Sequence, residues 1–429
     1  MEQTRPNQKN ILLDSLKIMI LIIVLGKFFS IAASSFFEID FQEYIPSLNP
    51  FANNFEKFNP MRLAYGERAN KPDSNIILIN LGEKNRKGIA GLLDKINSYQ
   101  PKVVAIDAFF RRSKDAETDS ILELSLSKIH NLVLAALVDH DINGKETFNT
   151  SLDRFTKHGE SGYAQLLINT ELNKVESFIP KININGNEIN SFSAAVVRAY
   201  SQAEYEKLMK RNNESERINF IGNHESFCVV DIEDTTSLKH NIIKDKIVLV
   251  GFLDIGPFGE IYTNADVVST PIGRNDAPDM FGLVAQANII SMILNENYIN
   301  EPPEFMQLIC ILLILYLNIY LLSLLHTRLS KWYNALTIQY IVFVMLSYLF
   351  VTTILLTKIH YLYNPTYLIM MVTVAIPFVE VYYNIKDNVE MKIISARKKF
   401  ILILKPKKRK QEAPPEDMIK EPDEVDNKD

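Results

Sequence analysis

Residues 244–294 read KDKIVLVGFLDIGPFGEIYTNADVVSTPIGRNDAPDMFGLVAQANIISMIL. The apolar, largely β-branched run from Ile247 to Gly251 predicts a buried strand. A polar loop follows, and from about Phe281 to Leu294 the apolar residues recur at helical spacing. The stretch therefore predicts a strand, a loop and a helix that lead the chain towards the apolar segments after Pro303.

The chain before this stretch alternates between strand and helix patterns. IILINL at 76–81 and KVVAID at 102–107 have strand length, and residues 88–98 between them carry one apolar helix face. A helix near 117–127 and a strand at 132–138 continue the alternation. Because strand, helix and strand over about 30 residues form a βαβ unit, we expect an α/β domain with a mostly parallel sheet.

The middle of the chain shows weaker patterns. They predict strands at 163–169, 174–182 and 217–221 and a turn at 183–187. Residues 191–210 are typical of one long helix, for which Ser191 or Ser193 would be the N-cap.

Four apolar runs are long enough to cross a hydrocarbon core of about 30 Å. They lie at 11–37, 305–325, 332–356 and 361–383. The first is too long for the apolar core of a signal peptide, so we expect it to be an uncleaved span. The predicted fold is thus an α/β extracytoplasmic domain with a mostly parallel sheet and four transmembrane helices, one N-terminal and three C-terminal.

Basic residues set the predicted orientation. They are found in the N-terminus (residues 1–10), in the connector 326–331 and throughout 384–410. The positive-inside rule places these segments in the cytoplasm and residues 38–304 outside the membrane. We therefore expect a multi-pass protein of the cell (inner) membrane with both termini in the cytoplasm.

The C-terminal region has two parts with different expected properties. Residues 384–410 predict a basic juxtamembrane helix with an apolar seam at Val389, Ile393, Ala396, Phe400 and Ile403. The seam would pair two copies in a homodimer or lie on the membrane surface. Residues 411–429 are acidic and rich in proline, so we expect them to be disordered and to leave no room for a cytoplasmic output domain.

Composition and motifs argue against several function classes. The net charge of −5 does not favour nucleic-acid binding. Cys228 and Cys310 lie in different parts of the chain and form neither a disulfide framework nor a metal motif. The chain has no nucleophile elbow, phosphate-binding loop, HExxH or dinucleotide fingerprint. We therefore expect no enzyme activity, no cofactor and no metal, and an enzyme acting on an envelope substrate is the least favoured class.

Four polar residues near predicted strand ends are the candidate ligand-binding residues: Asp107, Asp254, Asp266 and Thr270. In open parallel sheets, ligands bind outside the carboxyl ends of the strands. The three carboxylates would line one crevice and Thr270 would supply a hydroxyl group. The alternative is that these residues only cap helices or fix loops.

Lys17, Lys27 and Glu380 are the candidate charges within the membrane. Ionisable groups in spans are functional candidates by default. Lys17 and Glu380 fall at matching depth in the predicted topology, so a contact between the first and last spans is a hypothesis. Snorkelling of both side chains to the interface is the alternative.

Several short motifs together resemble a known family. They are PKVVAIDAFF at 101–110 followed by Asp115 and Asp119, KIVLVG at 246–251, Asp266, Thr270-Pro271, and MFG at 280–282 continuing through Ala287-Asn288 to Leu294. With one N-terminal and three C-terminal spans, this order resembles the CHASE domain of type 2, a sensory module of bacterial receptors, over about residues 12–385. The family's first strand usually ends in an acid, where this chain has Asn80, and its Trp-Pro-rich turn is replaced by EKNRK at 83–87.

The resemblance implies extracytoplasmic sensing in the bacterial cell envelope. We expect a sensor-like or interaction subunit whose outer domain detects an unknown ligand or partner and which couples to a separate cytoplasmic or membrane protein. The lipid bilayer is its other expected partner, and nucleic acid is not. The alternative is an envelope scaffold or assembly protein whose outer domain binds another protein without signalling.

Overall fold

The computed structural model describes residues 8–36, 72–82, 84–140, 144–169, 173–230, 240–255, 266–273, 278–362 and 366–404. Side chains are described throughout these ranges except at residues 8, 26–36, 304, 366–371 and 401–404. The acidic tail at 411–429 and most of residues 38–75 lie outside the described residues, as does the side chain of Lys27.

The strands are β1 (Asp73–Asn80), β2 (Val103–Ile106), β3 (Leu132–His140), β4 (Glu146–Asn149), β5 (Glu160–Tyr163), β6 (Leu167–Asn169), β7 (Lys174–Phe178), β8 (Lys181–Ile184), β9 (Asn187–Asn190), β10 (Glu216–Arg217), β11 (Phe227–Val230), β12 (Ile247–Gly251), β13 (Val267–Val268) and β14 (Met280–Phe281). The helices are α1 (Gln8–Phe36), α2 (Arg86–Ser98), α3 (Ala116–Ser127), α4 (Asp153–Thr156), α5 (Phe192–Tyr200), α6 (Gln202–Arg211), α7 (His240–Ile243), α8 (Gly282–Leu294), α9 (Glu304–Arg328), α10 (Tyr333–Ile354) and α11 (Thr366–Leu404).

A mostly parallel sheet forms the centre of the domain, as the βαβ pattern predicts. Within the described residues it has seven strands in the order β11-β1-β12-β2-β3-β4, and β5 also pairs with β3. All of these pairs are parallel except β3 with β4. The strand β12, which opens the 244–294 stretch, lies between β1 and β2, at the middle of the sheet.

Alternate residues of the central strands face two separate hydrophobic layers. Ile76 and Leu78 of β1 belong to the cluster that contains α5 and α8. Ile77 and Ile79 of the same strand belong to the cluster that contains α2 and α3. Each fully buried aliphatic side chain contributes about 1.5–3 kcal/mol, so both faces of the sheet are stabilised and a three-layer α/β/α sandwich results.

The predicted long helix at 191–210 is wrong, because the structure contains two helices, α5 and α6. They are separated at Ser201, whose backbone is extended (φ −149°). The first six residues of α5 are all buried, whereas α6 buries only Leu208. The bend at Ser201 therefore lets the polar second helix keep most of its surface in water. The Ser191 side chain caps α5 by accepting a 3.2 Å hydrogen bond from the Ala194 amide.

The strand predicted at 217–221 is also shorter than expected. Only β10 (Glu216–Arg217) pairs with β7. The Ile218 amide still donates to the Glu176 carbonyl of β7 at 2.8 Å. Beyond it, backbone donors bind side chains of α8: the Asn219 amide contacts Met292 Sδ at 3.2 Å and the Ile221 amide donates to Asn288 Oδ1 at 2.8 Å. These contacts replace strand pairing and attach the segment to α8.

Two helices in the described residues are long and apolar enough to cross a membrane by length and composition. They cover Phe305–Arg328 and Ser330–Ile359. The predicted spans at 11–37 and 361–383 fall largely on α1 and α11, and that these two cross the membrane stays a prediction. Helix α11 continues without a break to Leu404, so the expected boundary near residue 384 is not an end of the helix.

The chain divides into two compact units. The domain unit contains residues 29–314 and 338–370, and the bundle unit contains residues 1–28, 315–337 and 371–429. In the bundle unit, the Tyr316 hydroxyl donates to the Leu12 carbonyl at 3.2 Å and the Tyr333 hydroxyl donates to the Ile376 carbonyl at 3.3 Å. These bonds connect segments that are far apart in sequence.

Candidate ligand crevice at the carboxyl edge of the sheet

Three neighbouring parallel strands end next to one another at Asn80, Gly251 and Asp107. Asn80 pairs with Gly251 in the register of β1 and β12. The Asp107 amide, one residue past β2, donates a 2.8 Å hydrogen bond to the Val250 carbonyl. Since side chains alternate along a strand, all three positions face the side of the sheet on which α8 lies.

The Asn80 side chain fixes the corner where β1 ends. Its Oδ1 accepts hydrogen bonds from the Gly82 amide and from the Leu253 amide, both at 3.0 Å. The amide oxygen therefore holds together the loops that follow β1 and β12. The sequence shows Asn80 as a departure from the family pattern, but it does not show that this side chain connects two loops.

Helix α8 begins directly above this edge because Gly251 has no side chain. A Cβ atom at Gly251 would lie 2.9 Å from Leu283 Cδ1 and 3.4 Å from Asp107 Cβ. The first turn of α8 therefore packs against the end of β12 and lies next to Asp107.

Asp266 lies at the N-terminus of the same helix. Its backbone is left-handed (φ 57°), and its carbonyl accepts a 2.9 Å hydrogen bond from the Gly282 amide. A Cβ atom at Gly282 would lie 3.1 Å from Asp266 Oδ1, so the carboxylate is held against the first residue of α8. A helix N-terminus attracts negative charge, which favours this position for an acid.

Asp266 lies close enough to Asp107 for its negative charge to affect the pKa of Asp107. Burial raises the pKa of Asp107 to about 7, and the negative charge of Asp266 adds to this rise. Desolvation also raises the pKa of Asp266, although part of its surface is exposed. Neither carboxylate forms an ion pair within the described residues. A proton, a cationic ligand or a hydrogen-bond donor would therefore relieve the repulsion between them.

The other two candidate residues have different surroundings. Asp254 lies three residues past β12 and is half-buried, and no contact among the described residues joins it to Asp107 or Asp266. Thr270 is fully buried, and its hydroxyl donates to Asp279 Oδ2 at 2.7 Å. The structure thus brings Asp107 and Asp266 together, while the Thr270 hydroxyl proton is bound to Asp279. The ligand-binding roles of all four stay predictions.

The buried face of α8 carries polar side chains to which the sequence pattern assigns no role. The Asn288 Nδ2 group donates to the Gly222 carbonyl at 2.9 Å, and the Ser291 hydroxyl donates to Asp73 Oδ2 at 2.6 Å. Gln286 Nε2 donates to the Ala164 carbonyl at 2.8 Å. Polar residues inside an otherwise apolar helix are the signal that would have found them. They fix α8 to three separate segments of the domain.

No metal centre is indicated in the part of the chain that the structure describes. That part contains no group of three or more His, Cys, Asp or Glu side chains placed to hold a metal ion. The chemistry of the crevice rests on its two carboxylates, and a pair of neighbouring carboxylates can bind a small cation or accept hydrogen bonds from a donor.

Two lysines of the bundle unit, Lys17 and Lys386, contact Asp14. Its buried carboxylate accepts a 2.9 Å hydrogen bond from the Tyr382 hydroxyl and forms a 2.5 Å ion pair with Lys386. Lys17 is exposed and lies 3.6 Å from the same carboxylate. The hypothesised Lys17–Glu380 contact is absent from the described ion pairs, and Glu380 is half-buried.

Comparison with known proteins agrees with the motif order. The CHASE2 domain model matches residues 77–326, which is more than half of the 429-residue chain. No curated protein and no solved structure matches the chain. The matched residues include the whole parallel sheet except the first four residues of β1, and they include the crevice, α8 and all of α9 but its last two residues. This chain belongs to the CHASE2 family, whose characteristic domain is an extracellular sensory domain.

Proposed function

We propose that the protein is a membrane sensor subunit. Its extracytoplasmic domain detects a small cationic or hydrogen-bond-donating ligand at the Asp107–Asp266 crevice, and it passes the change through the spans to a separate cytoplasmic effector. The observation that carries this proposal is the position of α8. Its N-terminus lies at the crevice, and its C-terminus leads through residues 295–303 to α9, the first of the two apolar helices.

The segment after α8 is held by basic residues of the domain. Lys207 on α6 forms a 2.6 Å ion pair with Glu296, and Arg217 on β10 forms a 2.5 Å ion pair with Glu301. Exposed pairs of this kind contribute about 0–1 kcal/mol each, so they are easily exchanged. Such contacts suit a segment that changes position when the domain changes state.

Asn300 connects this segment to the loop between α10 and α11. Its amide donates to the His360 carbonyl at 2.8 Å, and its carbonyl accepts from the Leu362 amide at 2.9 Å. Arg211 Nη2 also donates to Asn300 Oδ1 at 3.2 Å. A shift of Asn300 would therefore affect the start of α9 and the end of α10 at the same time.

Signalling requires two states of the domain that differ in ligand affinity. The unliganded crevice keeps two carboxylates near each other, at an electrostatic cost. A bound cation removes that cost and so favours the state in which the first turn of α8 holds the two carboxylates together. The free energy of binding then depends on the position of α8, which is the coupling that a sensor needs.

Hydrogen exchange in the full-length protein in lipid nanodiscs tests this proposal. The double substitution Asp107→Asn and Asp266→Asn removes the repulsion without a ligand, and we expect altered protection of the amides of residues 296–301 and of Leu362. Asp115→Asn is the matched control, because Asp115 is an exposed cap of α3. Unchanged protection in the double variant would rule out coupling between the crevice and the linker.

One observation favours the alternative of an envelope scaffold. The strand β6 lies at the edge of the β10-β7-β6 sheet, and its Leu167 and Ile168 are 43% and 49% exposed. An exposed apolar edge strand can pair with another protein. In that case Leu167→Lys with Ile168→Lys would abolish a stoichiometric complex, and the crevice variants would leave the complex intact.

A further inference from the structure

Helix α11 carries one heptad pattern over most of its length. The a positions are Val372, Val379, Lys386, Ile393 and Phe400, and the d positions are Ala375, Tyr382, Val389, Ala396 and Ile403. A repeat of seven residues with apolar a and d positions is the pattern by which helices pair side by side.

The first half of this seam is already used within the bundle unit. Val372, Ala375 and Val379 are 2%, 0% and 0% exposed. The next two positions, Tyr382 and Lys386, both bind the carboxylate of Asp14 on α1. The a and d face of α11 is therefore an established packing surface.

The second half of the seam is uncovered within the described residues. Val389, Ile393 and Phe400 are 49%, 52% and 63% exposed, although they continue the register of the buried half. Phe400 and Ile393 occupy a positions, where side chains of a partner helix would pack against them. From Val389 to Phe400, nothing in the part of the chain that the structure describes covers the seam as the first half is covered.

The charges beside the seam indicate what kind of partner fits. Glu390 and Arg397 lie at e positions, and Lys392 and Lys399 lie at g positions. Two copies in one membrane would pair in parallel, and this would place Lys392 of one copy opposite Arg397 of the other. Because like charges at facing g and e positions oppose pairing, a second copy is disfavoured.

The continuity of α11 argues against a membrane surface as the partner that covers residues 389–400. At 1.5 Å per residue the 39-residue helix is about 58 Å long, whereas a span needs about 20 residues. The interior proline, Pro377, lies in the buried first half of the seam, before residues 389–400. A helix without a break after the proposed span directs residues 389–400 away from the bilayer rather than along it.

We propose that residues 389–400 dock an amphipathic helix of a partner protein, with apolar a and d positions and acidic e and g positions. The proposal rests on the proposed function, for which it names the chemistry of the effector's contact surface. The docked helix would extend the seam that α11 uses in the bundle unit, so a change in that packing would be transmitted along a continuous helix.

Binding of defined peptides to the full-length protein tests the proposal. The protein is placed in phosphatidylcholine nanodiscs, and the probes are two labelled four-heptad peptides with Ile at a and Leu at d, one with Glu and one with Lys at all e and g positions. Fluorescence anisotropy should show at least about tenfold tighter binding of the Glu peptide, equivalent to about 1.4 kcal/mol. Reversing Lys392, Arg397 and Lys399 to Glu should invert this preference.

Ile393 and Ile394 provide a matched pair of substitutions. They are adjacent and are 52% and 53% exposed, but only Ile393 lies on the seam. We expect Ile393→Asp to weaken binding of the Glu peptide about tenfold or more, and Ile394→Asp to change it less than about threefold. Equal effects of the two substitutions, or equal binding of the two peptides, would overturn the proposal.

Cysteine variants at the same positions test whether a second copy of the chain or a lipid surface covers the seam instead. Ready formation of an inter-chain disulfide by Ile393→Cys in native membranes would show that a second copy covers the seam. Protection of Ile393→Cys, but not Ile394→Cys, from a water-soluble maleimide in phosphatidylglycerol nanodiscs would show a lipid surface. Either result overturns the proposal. Neither experiment involves the crevice. The hydrogen-exchange measurement at residues 296–301 therefore tests the proposed function separately.

Discussion

Thr270 donates both its amide and its hydroxyl group to the carboxylate of Asp279. The amide lies 2.7 Å from Oδ1 and the hydroxyl lies 2.7 Å from Oδ2. Burial raises the pKa of Asp279, whereas the two bonds from Thr270 lower it. These bonds join residues 270 and 279, which both lie between Asp266 and the N-terminus of α8. Thr270 therefore contributes indirectly to the geometry of the crevice.

We predict that Thr270→Val destabilises the domain. The substitution removes the hydroxyl donor from Oδ2 of the half-buried Asp279, which costs about 1–3 kcal/mol. Thr270→Ser is the control, since it keeps the hydroxyl group and should lose less stability. Thermal unfolding of the full-length protein in nanodiscs measures both, and a valine variant as stable as the serine variant would contradict the prediction.

The Thr270–Asp279 pair shows what the sequence leaves open. Thr270-Pro271 is visible as part of the family resemblance, but the partner of its hydroxyl lies nine residues further on in a segment without periodicity. The central strands and α8 are predictable because their apolar residues follow a strand or helix period. The position of β12 between β1 and β2 is not, because the pairing order depends on contacts between distant segments.

The geometry of the crevice is also only partly predictable from the sequence. The sequence places Asp107 and Asp254 at strand ends, and the parallel sheet brings those ends to one edge. It does not show that Asp266 reaches α8, because this depends on the left-handed backbone at Asp266 and on the space that Gly282 leaves. The bend at Ser201 is not predictable from the sequence either, since both halves of 191–210 favour helix formation.

The raised pKa of Asp107 predicts a pH dependence of stability. Its folded value of about 7 lies above its unfolded value of about 3.9, so the folded state holds this proton more tightly. The resulting stability is fully present below about pH 4 and is lost as the pH rises through 7. Asp107→Asn stays neutral, so the variant should match the wild type near pH 4 and exceed it above pH 7, on the order of 2 kcal/mol because Asp107 is only half-buried.

Unfolding of the full-length protein between pH 4 and pH 8 measures this difference. A constant difference between wild type and Asp107→Asn across the range would contradict the assigned pKa. The substitution Asp266→Asn should lower the pH at which this stability is lost, because it removes the negative charge that helps to raise the pKa of Asp107.

Asp119 should show the opposite pH dependence. Burial alone would raise its pKa, but hydrogen bonds from Arg86, Lys114 and Ser113 outweigh this and lower it. The stability it contributes is therefore present above its unfolded pKa and is lost as the pH falls. Arg86→Met removes the nearer ion-pair partner of the buried Asp119 and leaves Arg154, whose Nη1 lies 3.9 Å from Oδ2, so it should cost at most about 3–5 kcal/mol near pH 7. The deficit should become smaller towards pH 3, and a deficit independent of pH would argue against the ion pair as its cause.

Two glycines should respond to alanine in opposite directions. A Cβ atom at Gly162 would lie 2.7 Å from the Cα atom of Phe192 at the start of α5, where the backbone has no room to move. We expect Gly162→Ala to destabilise the domain by about 1–3 kcal/mol. Gly91 lies on the exposed side of α2 with no atom within 4 Å of the added carbon, so Gly91→Ala should stabilise by about 0.5–1 kcal/mol. Unfolding measurements on both variants check the sign, and a stable Gly162→Ala variant would show that α5 can shift.

The Asp14–Lys386 ion pair gives a prediction for the bundle unit. Asp14 is 4% exposed, so reversing one charge places two like charges together in a poorly solvated position. We expect Asp14→Lys and Lys386→Asp each to lower the unfolding temperature of the protein in nanodiscs, and the double variant to recover part of the loss through a coupling of about 0.5–3 kcal/mol. Lys17→Ala is the control, because Lys17 is 58% exposed and lies 3.6 Å from Asp14, and it should change stability by less than about 1 kcal/mol. If the two reversals were simply additive, the ion pair would not hold α11 to α1, and the buried half of the seam would depend on its apolar residues alone.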